Sequence, residues 1–189
     1  MKAAFKEWAV VIDALGRGEQ IIILRKGGIH EGRGEFQVDQ PEFWMFSTLF
    51  HQQGESVTAE AGARFTSLAA EFPPEDTLRL KYFAIVADWR KLENEEAALQ
   101  LDGQHILKEN VIRDRFSWGR ELGIFALAVR VHRLPQPIDL PMLKEYGGCK
   151  SWIDLAEEPT TEGATPVLDD ATFEAKLTQF QSALSKPRV

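Results

Sequence analysis

Arg25, Lys26, His30 and Arg33 fall within nine positions, interleaved with Gly27, Gly28 and Gly32 and followed by Gly34. A glycine-rich loop leaving a strand can turn several backbone N–H groups onto one oxyanion, and arginine or lysine completes the charge match. RKGGIHEGRG is therefore read as an anion-binding loop. It is neither a Walker A loop, which needs Gly-x4-Gly-Lys-Ser/Thr, nor a GxGxxG dinucleotide turn. A second cationic group lies far along the chain: Arg113, Arg115, Arg130, His132 and Lys150, with Trp118 and Trp152 among them. Guanidinium groups hold phosphates in a fork, and an indole can stack on a base. The two groups are expected to form two walls of one anion site.

Other chemistries compete for the same residues. His30, Glu35 and His51, with Glu31 and Asp39, could do acid–base work or supply imidazole and carboxylate ligands. No histidine pair has the spacing that one helix would need to hold a metal, so no metal site is assigned. Cys149 follows Gly147-Gly148 and precedes Lys150; a tight turn could expose its thiol and the ammonium could lower its pKa. A nuclease core needs Asp on one strand and Asp/Glu-x-Lys on the next. Asp13 is followed only by IIILRK, so that motif is not met.

The elements that must position these groups follow from periodicity. Trp8–Leu15 and Gln20–Lys26 are apolar and β-branched runs separated by GRGE, which predicts an N-terminal β-hairpin. Phe43–Phe50, Leu78–Trp89 and Gly123–Arg133 read as further strands. On the last, Ala126, Ala128, Arg130 and His132 share one face. Ala61, Phe65, Leu68 and Phe72 make one stripe of a helix over Thr58–Phe72, which Pro73-Pro74 stops. Shorter helices are expected over Asn94–Leu101 and Leu107–Phe116. Pro135, Pro137 and Pro141 suggest an extended connector. Residues 156–168 read as a linker or long loop, and Phe173, Leu177, Phe180 and Leu184 stripe a terminal helix.

With 189 residues, 44% of them hydrophobic, the chain can bury a core without staples. One cysteine excludes an internal disulfide, and no run of about 18 apolar residues spans a membrane. No signal peptide is evident, so the expected setting is the cytoplasm. Net charge is −7, which disfavours indiscriminate binding to phosphate backbones. Residues 108–150 nevertheless carry 8 Lys/Arg against 5 Asp/Glu, a net basic stretch inside an acidic protein.

The blocks ILRKGGIHE…FWMFSTLFHQ, RFSWG…FALAVRVHRLP and YGGCKSWIDL resemble the bacterial family catalogued as domain of unknown function eighteen-zero-two, from about Trp8 to Leu155. Some relatives are joined to a restriction-endonuclease-type domain. The resemblance thus implies a recognition or accessory role in restriction or defence, and it implies no catalytic residues. The expected architecture is a single α+β domain over 1–155 with a mixed, largely antiparallel sheet and flanking helices, a linker at 156–168, and a C-terminal helix in 169–189. The leading functional expectation is a binding module for a phosphate-bearing partner, nucleic acid or nucleotide, without a cofactor. The alternatives are a small-molecule enzyme using His30, Glu35, His51 or Cys149, and a homo-oligomerising protein that pairs through its C-terminal helix.

Overall fold

The computed structural model describes residues 1–26, 41–119, 122–148 and 150–185. Its sheet runs β2-β5-β4-β3-β1-β6, with β7 paired to β5. The strands are β1 (Ala3–Trp8), β2 (Ile22–Arg25), β3 (Glu42–Thr48), β4 (Thr77–Leu92), β5 (Ile124–Pro141), β6 (Trp152–Asp154) and β7 (Thr165–Pro166). β1 and β3 are parallel and every other described pairing is antiparallel. The helices are α1 (Ala9–Gly16), α2 (Ala59–Ala70), α3 (Glu95–Leu99), α4 (Glu109–Ser117) and α5 (Asp170–Leu184). The fold is α+β with a mostly antiparallel mixed sheet.

The N-terminal hairpin does not form as expected. β1 ends at Trp8, the chain turns straight into α1, and β2 pairs with β5 instead of its predecessor. Residues Ala9–Gly16 are buried on every side but Asp13, so no polar face marks them as helical. A short apolar run of that kind fits a strand or a buried helix equally well. The GRGE turn closes the helix: Gly18, at φ +73°, donates its N–H to Leu15 O at 3.1 Å. Gly16 is also where α1 meets β4, since a Cβ there would lie 2.3 Å from the Tyr82 ring.

The three prolines do not end β5 either. The strand continues to Pro141 beside β4, and the register jumps between Leu80↔Ile138 and Tyr82↔Arg133. Pro135 and Pro137 sit in that unpaired bulge, where no ladder hydrogen bond asks for their missing N–H. β4 and β5 thus form a long ribbon to which the shorter strands attach.

Packing forms two clusters, the larger covering both faces of the sheet at β2 and β5. Phe5, Phe43 and Met45 join residues from the helices in the larger core, while Ala4, Trp44, Phe46, Leu80 and Phe83 pack with Tyr146 and Ile153 in the smaller. Residues 156–168 are tied to the sheet through β7 and by Val167 N–H to Val131 O at 2.9 Å. Asp169 caps α5, its carboxylate accepting from Thr172 N–H at 2.8 Å. Phe173 and Phe180 then bury themselves in the larger core. The apolar stripe of α5 is spent on its own chain. Phe180→Ala is expected to destabilise the protein by about 3–5 kcal/mol in urea unfolding, with the oligomeric state by light scattering unchanged.

Candidate anion site

Glu7, next to last in β1, lies on the same face as Phe5, and its side chain is 2% exposed. One carboxylate oxygen accepts the Trp8 N–H at 2.7 Å; the other is buried with no hydrogen-bond partner. Arg25, at the end of β2, brings Nη1 to 3.6 Å from that orphaned Oε2 and donates from Nη2 to Ser151 Oγ at 2.9 Å. Its guanidinium lies 5.0 Å over the Phe5 ring. From α4, Arg115 donates to Leu24 O at 2.6 Å and covers the Trp8 ring at 4.4 Å. Burial pulls Arg115 below the usual guanidinium range; the Glu7 charge works against that shift and Arg25 adds to it. Lys26 donates to Phe116 O at 2.7 Å, which ties the end of β2 to the end of α4.

Two sequence-distant cationic groups therefore meet, though only in part. Arg25 and Arg115 converge on Glu7, Lys26 reaches the end of α4, and exposed Lys150 adjoins Ser151, the acceptor of Arg25. The other members lie elsewhere. Arg113 is exposed and held by Glu109 and Glu95. Arg130 pairs with Asp170 and lies 5.0 Å over Phe173, both on α5. His132 stacks on Phe83 with ring centroids 4.8 Å apart. Its pKa is lowered by burial and by neighbouring Arg130. Arg25 is in register with Phe125, so Arg130 and His132, an odd number of residues along β5, face the other way. The face shared by Ala126, Ala128 and these two residues is crossed by α5, whose Gln181 donates to Asp88, the register partner of Ala128.

Among the enzyme-like candidates, His51 is exposed at the start of a short 3-10 helix (His51–Ser56). His30, Arg33, Glu35 and Cys149 lie outside the described residues. No cluster of three or more His, Cys, Asp or Glu suited to a metal occurs among the described residues. A cleft of about 730 Å³ with its open mouth lies elsewhere, lined by Ile12, Met45, Leu68, Phe72 and Tyr82. Two of its charged groups are already paired, Asp13 with Arg64 and Arg79 with Asp139.

Sequence reasoning passed over two buried ionisable residues. Glu7 had a legible signal, since Ala3, Phe5 and Glu7 alternate on one face and a carboxylate there interrupts an apolar row. His105 had none, because it lies in the irregular stretch between α3 and α4. It is 8% exposed with neither ring nitrogen partnered, and burial lowers its pKa to about 4.

The fold and this cluster define an α+β protein with a cationic site gathered around one buried acid. The chain belongs to the family described as Domain of unknown function (DUF1802), whose model matches residues 4–179. No curated protein matches it in sequence. Among solved structures it is similar to ASCH from Zymomonas mobilis, at 16% identity over 93% of this chain and 92% of that one, with a TM-score of 0.42. Two mutant proteins of the same ASCH give TM-scores of 0.41 and 0.43 at 16% identity, covering 95% and 93% of those chains and 93% of this one. Scores of this size mark a loose likeness. Among the described residues no helix is long and apolar enough to cross a membrane.

Glu7→Ala should cost about 3 kcal/mol in urea unfolding, the low end for a broken buried pair, because it leaves two part-buried guanidiniums without their carboxylate. Arg113→Ala, at an exposed ion pair, should leave the midpoint nearly unmoved. His105 gives a pH signature. The unfolded chain protonates this imidazole near 6.5 and the folded one only near 4. Between those values the unfolded state binds the extra proton, so stability falls as pH drops, by up to about 3 kcal/mol. Urea unfolding at about pH 7 and 4.5 should show that loss in the native protein and a clearly smaller one in His105→Leu.

Proposed function

We propose that the protein binds a phosphate-bearing partner, a single-stranded nucleic acid, through Arg25, Arg115 and Lys150. The observation that carries this reading is that Arg115 and Arg25, far apart in sequence, both stand beside a single buried carboxylate. One carboxylate balances one guanidinium, so an anion entering the cluster completes the charge match that Glu7 leaves half made. Guanidinium forks suit phosphate oxygens, and Trp118, just past α4 and 73% exposed, offers an indole face on which a base can stack. A localised site of this kind also fits a chain of net charge −7, which repels phosphate backbones over most of its surface. The family resemblance supplies a setting, a recognition or accessory module in a restriction or defence system.

The test is binding of labelled single-stranded and duplex RNA and DNA at about 50 and 200 mM salt. Three phosphate contacts to a single strand predict affinity about twenty-fold weaker at the higher salt. Lys150→Ala should flatten that dependence. Trp118→Ala should cost about 1–3 kcal/mol of single-strand affinity. Both residues are exposed, so neither change threatens the fold. Absence of binding at the lower salt, or affinities untouched in both variants, would sink the reading.

A further inference from the structure

The cleft of about 730 Å³ is open to solvent and within the size range of small-molecule sites, which are mostly apolar with a few placed polar groups. Its wall is built from α1, the C-terminal end of α2, β3 and the first half of β4. Ile12 and Met45 are buried, whereas Phe72, Tyr82 and Met142 are half-buried. The cleft therefore has a closed apolar base and an apolar rim that a ligand can reach. Four charged residues also line it: Asp13, Glu71, Arg79 and Lys81. Asp13 is held by Arg64 at 3.1 Å, and Arg79 donates to both carboxylate oxygens of Asp139 at 2.7 Å. The Lys81 charge also reaches Asp139, so two cations of one strand share one acid. Lys81 is exposed and forms no ion pair among the described residues.

From this we infer a second binding site, independent of the cluster at Glu7. The cleft takes a small aromatic carboxylate, its ring among Met45, Phe72 and Met142 and its charge on the Lys81 ammonium. Lysine suits that task, since its stem can lie along an apolar rim while the ammonium moves to meet a head group. The thioethers of Met45 and Met142 and the ring of Phe72 favour an aromatic body over an aliphatic chain. Glu71 limits the head group. It is exposed at the end of α2 and, like Lys81, forms no ion pair among the described residues. An acid in the same lining opposes a second negative charge, so a monoanionic carboxylate fits where a phosphate dianion does not.

The experiment is isothermal titration calorimetry at neutral pH with three probes of one body: 3-phenylpropanoate, 3-phenylpropanol and 3-phenylpropylamine. The native protein should bind the acid about five-fold more tightly than the alcohol, the upper end for one exposed ion pair. The amine, repelled by Lys81, should bind no better than the alcohol. Lys81→Met keeps the straight stem and removes the charge, so acid and alcohol should become equal there. Phe72→Ala should weaken acid and alcohol alike, because it removes part of the apolar rim. No binding of the acid to the native protein overturns the inference, as does a preference for the amine or equal affinity for acid and alcohol. An acid-to-alcohol ratio unchanged in Lys81→Met overturns it too, since the carboxylate would then sit on another cation. Lys81 is exposed, so that variant keeps the fold. Should Phe72→Ala prove unfolded by circular dichroism, the native and Lys81→Met ratios decide alone.

Discussion

A carboxylate taken out of water must be repaid by nearby positive charge, and Glu7 draws that repayment from two other elements. Arg25 comes from the end of β2 and Arg115 from the last turn of α4. Each is fastened independently: Arg25 to Ser151 before β6, Arg115 to the carbonyl of Leu24. The acid at the end of β1 therefore coordinates β2, α4 and the approach to β6. The strand order puts β2 at one edge of the sheet and β1 and β6 at the other, so the contacts of Arg25 with Glu7 and Ser151 require the sheet to curl until its edges approach. The aromatic planes under both guanidiniums, Phe5 and Trp8, replace hydration that burial removes.

This arrangement explains why the fold class was legible in the sequence and the site only half so. The amphipathic stripe of α2, the alternation of β5 and the terminal stripe of α5 are local patterns, and each encodes which side faces the core. The run from Trp8 to Leu15 is apolar all round, so its period is silent, and the turn after it closes a helix as readily as a hairpin. The proline-rich half of β5 is strand because its prolines fall in a bulge, a fact of register that no single segment states. The basic composition of residues 108–150 was legible too. Which of those cations meets Arg25 depends on strand parity and on the packing of α4, and both are tertiary.

The distribution of partners separates the cations into kinds. Arg113, Arg130 and Arg79 each have a dedicated carboxylate, in Glu109, Asp170 and Asp139. Such pairs are locally neutral, and a phosphate would have to compete with an acid already in place. Arg25 and Arg115 differ in kind: their shared acid is buried, it is one for two, and their other described contacts are to a hydroxyl and a backbone carbonyl, which carry no net charge. A count of basic residues along the sequence cannot draw this distinction, because it depends on where the acids fall.

Glu7 also constrains what the cluster can do. A site built only of cations would bind any small anion and would have no reason to hold a carboxylate at its base, since that charge weakens every anion contact. The acid keeps Arg25 and Arg115 together in the absence of a ligand, and one of its oxygens stays unmet. Two guanidiniums and one carboxylate leave one surplus positive charge among these described groups, and the acid thereby limits how much negative charge the cluster can take up.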